Sequence, residues 1–218
     1  MLVLLDLDNT LIDRTAAFKA WARNRFGETE VPWLVEQDRD GYAQRAEVAA
    51  VIAARYRLDA RDVLVDLGAG MVEQLAPDPR VAAALAEVTA AGFVPVVVTN
   101  GTVAQQQAKL RRTGLDRLVA GWTISEGAGV RKPERRIFEL AAASVGRSLT
   151  EGGWMVGDHG EYDVRGGAAA GLRTVWVSAG RTWPDDLPYR PTLTAVDCVA
   201  ALRALARPQG VTPSEIRL

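Results

Sequence analysis

The chain is poor in the residues that would give it an easy reading. A single cysteine among 218 residues, Cys198, excludes an intrachain disulfide and any metal site built from several thiolates. Its apolar surroundings make it a core thiol. There is also no excess of charge. Lysine plus arginine total 26 against 27 acidic residues, for a net charge of -1, so the chain lacks the basic footprint that a nucleic-acid backbone requires, and no nucleic acid is expected as a partner. Long hydrophobic runs are missing too. The opening MLVLLDLDNT meets acids after a few apolar residues, which fits neither a signal peptide nor a membrane span, so the expectation is a soluble, cytoplasmic protein with no membrane partner. No internal repeat or low-complexity tract breaks the sequence. What is present is 48% hydrophobic content over a length that suits one large domain or a domain carrying an insertion.

Residues 2–7 are a short apolar run closed by acids and a turn, the pattern of a buried parallel strand with polar residues at its carboxyl end. From Arg14 to about Leu75 the apolar residues change to helical spacing, with Phe18, Trp21, Ala22 and Phe26, then Val48, Val51 and Ile52, and no convincing strand. Ala76–Pro79 carries two prolines and an aspartate, a hinge and helix start, and a helix to Ala91 follows. Strands and helices then alternate. FVPVVVTNG precedes a helix to about Arg112, an apolar piece lies near Leu118 to Ile124, and a helix runs from Pro133 to Val145. WMVGD and TVWV are further strands with an alanine- and glycine-rich helix between them, 178–193 reads as a surface loop, and Thr194 to Ala206 as a closing helix. This order predicts an α/β core, a doubly wound parallel sheet formed by residues 1–13 and 77–218, with a small all-helical domain inserted at 14–76.

In an open parallel sheet the carboxyl ends of the strands share one edge, and ligands bind in the crevice there. Asp6 and Asp8, Thr99 and Asn100, and Asp158 each fall at such an end, so three strands are expected to deliver acids and hydroxyls to one place.

DLDNT, then TNG, then RKPE, then GDHGEYD form an ordered set that resembles the four motifs of the haloacid-dehalogenase-like superfamily, over nearly the whole chain. The resemblance implies a magnesium-dependent hydrolase in which the Asp6 carboxylate attacks phosphorus. It implies that magnesium is held by Asp6, the backbone carbonyl of Asp8, and Asp158, all hard oxygen ligands. Lys132 would add positive charge at the phosphoryl oxygens, and Thr99, with Asn100, Gly101 and nearby backbone amides, would bind them. Asp8 would protonate the leaving oxygen and then accept a proton from water. Asp163 would support the site by orienting Lys132 or a metal-bound water. Asp8 also separates subfamilies: the dehalogenases that name the superfamily do not carry a second aspartate in the first motif, so the chemistry implied here is phosphate chemistry. The middle of the chain looks closest to nucleotidases and sugar-phosphate phosphatases with a helical cap. The implied partner is a small phosphorylated metabolite, and the implied assembly a monomer or homodimer.

Each feature also has a plainer reading. Paired acids at a strand end often cap a turn, Thr99 and Asn100 can cap a helix, and a lysine before a proline is commonly a surface residue. His159, the sole histidine, is expected in an exposed loop, and Trp21, Trp154 and Trp176 in apolar packing. Arg14, Lys19, Arg39 and Arg45 have the spacing of a solvated helix face, from which Arg14 and Arg45 are the candidates to read an anionic substrate tail. VLVDLGAGM at 63–71 resembles the glycine-rich loop of methyltransferases, but the next strand ends TN rather than in the acid a ribose needs, so a cap helix with small residues for close packing is expected instead. A phosphomutase and a catalytically silent phosphometabolite-binding module are the alternatives to hydrolysis.

Overall fold

A computed structural model describes residues 1–207; residues 208–218, which the expected core span included, lie outside the described residues. Six parallel strands form one sheet in the order β3-β2-β1-β4-β5-β6. They are β1 (Leu2–Leu5), β2 (Val94–Thr99), β3 (Gly121–Ile124), β4 (Gly153–Gly157), β5 (Arg173–Val177) and β6 (Leu193–Ala195). The central strands are apolar without alternation because both faces are covered. Val3 and Leu5 point to one side, into a cluster with Val81, Leu85 and Val88 of α5 (Pro79–Ala90) and Ala201, Leu202 and Leu205 of α10 (Cys198–Ala206). Leu2 and Leu4 point to the other, against Ile137, Phe138, Ala141 and Ala142 of α8 (Arg135–Ala143). Helices on both faces make the sheet doubly wound. The chain winds outward from β1 through β2 to β3, then returns to place β4 on the other side of β1, so a crevice opens at the carboxyl ends of β1 and β4.

Between β1 and α5 the chain from Arg14 to Glu73 is helical and contains no strand: α1 (Arg14–Phe26), α2 (Val31–Asp38), α3 (Arg45–Tyr56) and α4 (Ala60–Glu73). Asp13 starts α1 by accepting from the Ala16 amide at 2.8 Å, and Asp59 starts α4 by accepting from Arg61 at 2.8 Å. Phe18, Leu34, Ile52, Leu67 and Met71 are fully buried within this helical cap, each contributing about 1.5–3 kcal/mol of transfer free energy. The VLVDLGAGM stretch lies inside α4 and is no loop. Its Gly70 lets α4 press on α1, because a Cβ there would sit 2.5 Å from Trp21 Cδ1.

Two sequence expectations change. Thr194 belongs to β6, a three-residue edge strand paired in parallel with β5, and the closing helix begins only at Cys198, with Asp197 accepting from the Ala200 amide. The stretch between β4 and β5 is a wide helical turn, Gly160–Arg165, followed by one further turn, α9 (Gly166–Ala169), rather than a full helix. Among the described residues no helix is long and apolar enough to cross a membrane.

Candidate active site

Every residue that the sequence assigns to the site lines one cavity of about 480 Å³ between the strand tips and the cap: Asp6, Asp8, Thr99, Asn100 and Gly101, Lys132, Asp158 and Asp163, with Arg14 and Arg45 from above. The floor is built by register. Asp6 follows β1 and extends its ladder by donating its amide to Val156 of β4 at 2.9 Å, which sets Asp6 beside Asp158, the residue after β4. Asp163 reaches the same point because Gly157 has no side chain; a Cβ there would collide with the Asp163 carboxylate.

Lys132 stands at the centre of these acids. Its Nζ donates to Asp6 and to Asp163, both at 2.6 Å, and the Asp163 carboxylate also accepts from the His159 amide at 3.0 Å. The lysine is held by its own backbone: Asn100 accepts from the Lys132 amide at 2.9 Å and donates to the Lys132 carbonyl at 3.1 Å. Burial opposes the ammonium charge, but Asp163 and Asp6 outweigh it and raise the Lys132 pKa. Burial, only partly offset by Lys132, pushes Asp6 up to about 8, and burial with Asp163 beside it pushes Asp158 up to about 7.

Asp8, two residues on, has a different setting. Lys109 Nζ lies 2.7 Å from both of its oxygens, and Gln106 donates to it at 3.1 Å. Burial would raise its pKa, but Lys109 overrides that and holds it below the usual carboxylate range. Lys109 is in turn brought down to about 8, by burial first, against the pull of Asp8. Gln106 also donates to Thr99 Oγ1 at 2.7 Å, fixing that hydroxyl at the tip of β2. Gly101 donates its amide to Ser125 at 3.0 Å, which ties the loop after β2 to the loop after β3.

Two expectations are corrected. Arg14 is no solvated helix-face residue; it is 1% exposed and its guanidinium forms a two-pronged ion pair with buried Asp38. Lys19 and Arg39 are exposed, as a helix face would have it. His159 is half-buried rather than in an exposed loop: its Nδ1 accepts from the amides of Glu161 and Tyr162, and its ring is stacked on Tyr162 at 4.1 Å and met edge-on by Tyr42 of the cap at 4.6 Å. The tryptophans expected in packing, Trp21, Trp154 and Trp176, are buried.

Sequence reasoning missed Lys109, Gln106 and Arg181. Lys109 and Gln106 lie on one face of α6 (Val103–Thr113), three residues apart, and are each 1% exposed. A Gln–Lys pair at helical spacing after TNG is all the sequence shows of them, and it does not mark them as buried. Arg181 hydrogen-bonds the Asp158 carbonyl at 3.0 Å and its carboxylate at 3.3 Å, while Trp176 donates to the same carbonyl at 2.8 Å.

Asp6, Asp158 and Asp163 can each bring one carboxylate oxygen within 4.8 Å of the others, all three buried. Hard oxygen donors in excess over the local lysine, two of them with raised pKa values, fit a divalent cation such as magnesium, which would relieve their mutual repulsion.

The haloacid dehalogenase-like hydrolase family matches residues 1–171, and the chain belongs to that family. Among curated relatives, it is 43% identical over 83 residues to the pyrimidine 5'-nucleotidase YjjG of Escherichia coli (strain K12), covering 38% of this chain and 37% of that protein. It is 37% identical over 119 residues to a phosphoserine phosphatase of Thermus thermophilus, covering 55% of this chain and 47% of that one. The matches thus span less than half the length of these relatives. Among solved structures, the L-2-haloacid dehalogenase RSc1362 superposes with a TM-score of 0.75 at 17% identity, over 94% of this chain and 98% of that one, which establishes a shared fold.

Proposed function

We propose that the chain is a magnesium-dependent phosphoric monoester hydrolase that acts on a small phosphorylated metabolite through an aspartyl-phosphate on Asp6. The observation that carries this reading is the second aspartate, Asp8, lining the same cavity as Asp6 but held by different partners. A dehalogenation has no departing alkoxide to protonate; a phosphate ester does.

Asp6 attacks phosphorus and the ester P–O bond breaks, with the leaving oxygen taking a proton from Asp8. Water then attacks the phosphorus of the aspartyl-phosphate, giving its proton to the Asp8 carboxylate and releasing phosphate and free Asp6. Without substrate, Lys109 keeps Asp8 ionised; the negative charge of an arriving phosphate raises its proton affinity and supplies the acid form. Lys132, Thr99 and the amides of the loop after β2 take the phosphoryl oxygens. A magnesium ion held by Asp6 and Asp158, with the Asp8 carbonyl, would mask the repulsion between carboxylate and phosphate. The helices of 14–76 form the cap unit whose closure excludes water from the first step.

The test is phosphate release from a panel of phosphate monoesters, with and without magnesium, for wild type and Asp6→Asn. Metal-dependent release that the variant loses supports the reading. Transfer of phosphate to a second sugar position without release points to a mutase, halide release from a 2-haloacid to a dehalogenase, and either result displaces hydrolysis of phosphate esters.

A further inference from the structure

The charges around the cavity separate into two ends. At the floor, Asp6, Asp158 and Asp163 share Lys132 and Arg181, an acidic set suited to a metal and a phosphoryl group. On the cap Arg14 is matched by Asp38, and on the core side Lys109 of α6 is matched by Asp8. Among the described residues Arg45, the first residue of α3, has no carboxylate partner. Its Nη1 is buried without any hydrogen-bond partner, and its Nη2 reaches only the Met71 sulfur at 3.8 Å. A buried guanidinium left without an acceptor is costly, and native folds seldom keep one without a use. Burial, with Arg14 nearby, brings Arg45 down to about 10, so it remains a cation at neutral pH. The other cavity-lining groups of the rim, Arg131 and Asp40, are exposed to solvent.

Building on the phosphatase reading, we infer that Arg45 is the receptor for a carboxylate carried by the leaving group, so that the substrate is a phosphorylated carboxylic acid. The pairing selects one negative charge, since Asp38 matches Arg14 and Asp8 matches Lys109, which leaves Arg45 unmatched. Arg45 lines the cavity, and a planar guanidinium is the side chain best matched to a carboxylate. The arginine also comes from a different part of the fold: Lys132 is paired with the floor acids Asp6 and Asp163, whereas Arg45 stands at the start of cap helix α3. A substrate spanning the cavity would place its phosphate at Asp6 and its acid at the cap, and a neutral sugar or alcohol would leave Arg45 unmatched.

The experiment measures binding by calorimetry in magnesium of three non-hydrolysable phosphonates, phosphonoacetate, 3-phosphonopropionate and 4-phosphonobutyrate, each beside its carboxamide. At least one acid is expected to bind about 10-fold or more tightly than its amide. In Arg45→Met that ratio falls to near unity, in Arg45→Lys it is intermediate, and in Arg131→Met it persists, with circular dichroism and Tm verifying the fold of each variant. Equal binding of acid and amide across the series, or a preference that survives Arg45→Met, overturns the assignment while leaving the phosphatase reading in place. Failure of every phosphonate, methylphosphonate included, overturns both.

Discussion

Asp6 and Asp8 leave the same strand two residues apart, yet their surroundings drive them in opposite directions. Asp6 is sunk among other acids and shares one lysine with Asp163, and its pKa climbs to about 8. Asp8 has a lysine of its own and a glutamine, and its pKa falls. On the function proposed above, identical side chains would thus serve as a nucleophile awaiting a cation and a carboxylate that only an arriving anion protonates. The lesson is that role is assigned by neighbours on other elements, not by the motif that names both residues.

Substitutions that exchange these surroundings test the contrast. The largest effect is expected from Asp6→Asn, which removes the attacking oxygen anion: phosphate release should fall by about 10⁴-fold or more with the fold intact, and a near-wild-type rate would remove Asp6 from the mechanism. Asp8→Asn should lower kcat by about 10²–10⁴-fold. Because Asp6 remains, single-turnover measurements should still detect phosphoryl transfer to Asp6 from esters with good leaving groups; equal loss for good and poor leaving groups would contradict the role of Asp8 as the acid. A third contrast is thermodynamic. Asp6 and Asp158 have folded pKa values above those of the unfolded chain, so the stability they contribute is full below about pH 4 and is lost as pH rises through about 7 and 8. Asp8, with its lowered value, works the other way, losing its contribution only as pH falls below the unfolded carboxyl range. The metal-free protein should therefore show a declining Tm from about pH 5 to about pH 8.5, and excess magnesium should restore it. A flat profile would show that the floor is not strained by its own charge. The smallest effect is expected for Lys109→Met, which leaves burial to raise the Asp8 pKa. The acid limb of the kcat/KM profile should move to higher pH with a loss of about 10-fold near neutrality, and an unmoved limb would make Lys109 a packing residue only.

The floor of the site was legible because it is made of strand ends. Short apolar runs followed at once by DLD, TN and GD say both where the chain turns and what it presents there. The helical insert was legible from spacing alone. β6 was not, since three residues carry too little pattern to separate a strand from the start of a helix. Lys109 and Gln106 looked like the polar face of a surface helix; only docking of α6 on the tip of β1 buries them. Arg14 and Arg45 share a spacing and a charge, and nothing local says that one will meet Asp38 and the other nothing. Such distinctions depend on pairing across elements, which a linear pattern does not encode.

The middle position of β1 bears on how the chain reaches its fold. Leu2 pairs with Val94 on one side and with Gly153 on the other, so the strand that leads into Asp6 gains its second neighbour only after most of the chain has been made. Parallel pairings over such separations form late, because the intervening chain must be closed into a loop before contacts reward it. On a ribosome, or in a fragment ending before β4, Asp6 would head an open sheet edge without Asp158 or Asp163 beside it. Competence for metal would then arrive in one step, as β4 docks, and the appearance of magnesium protection during refolding would time that event.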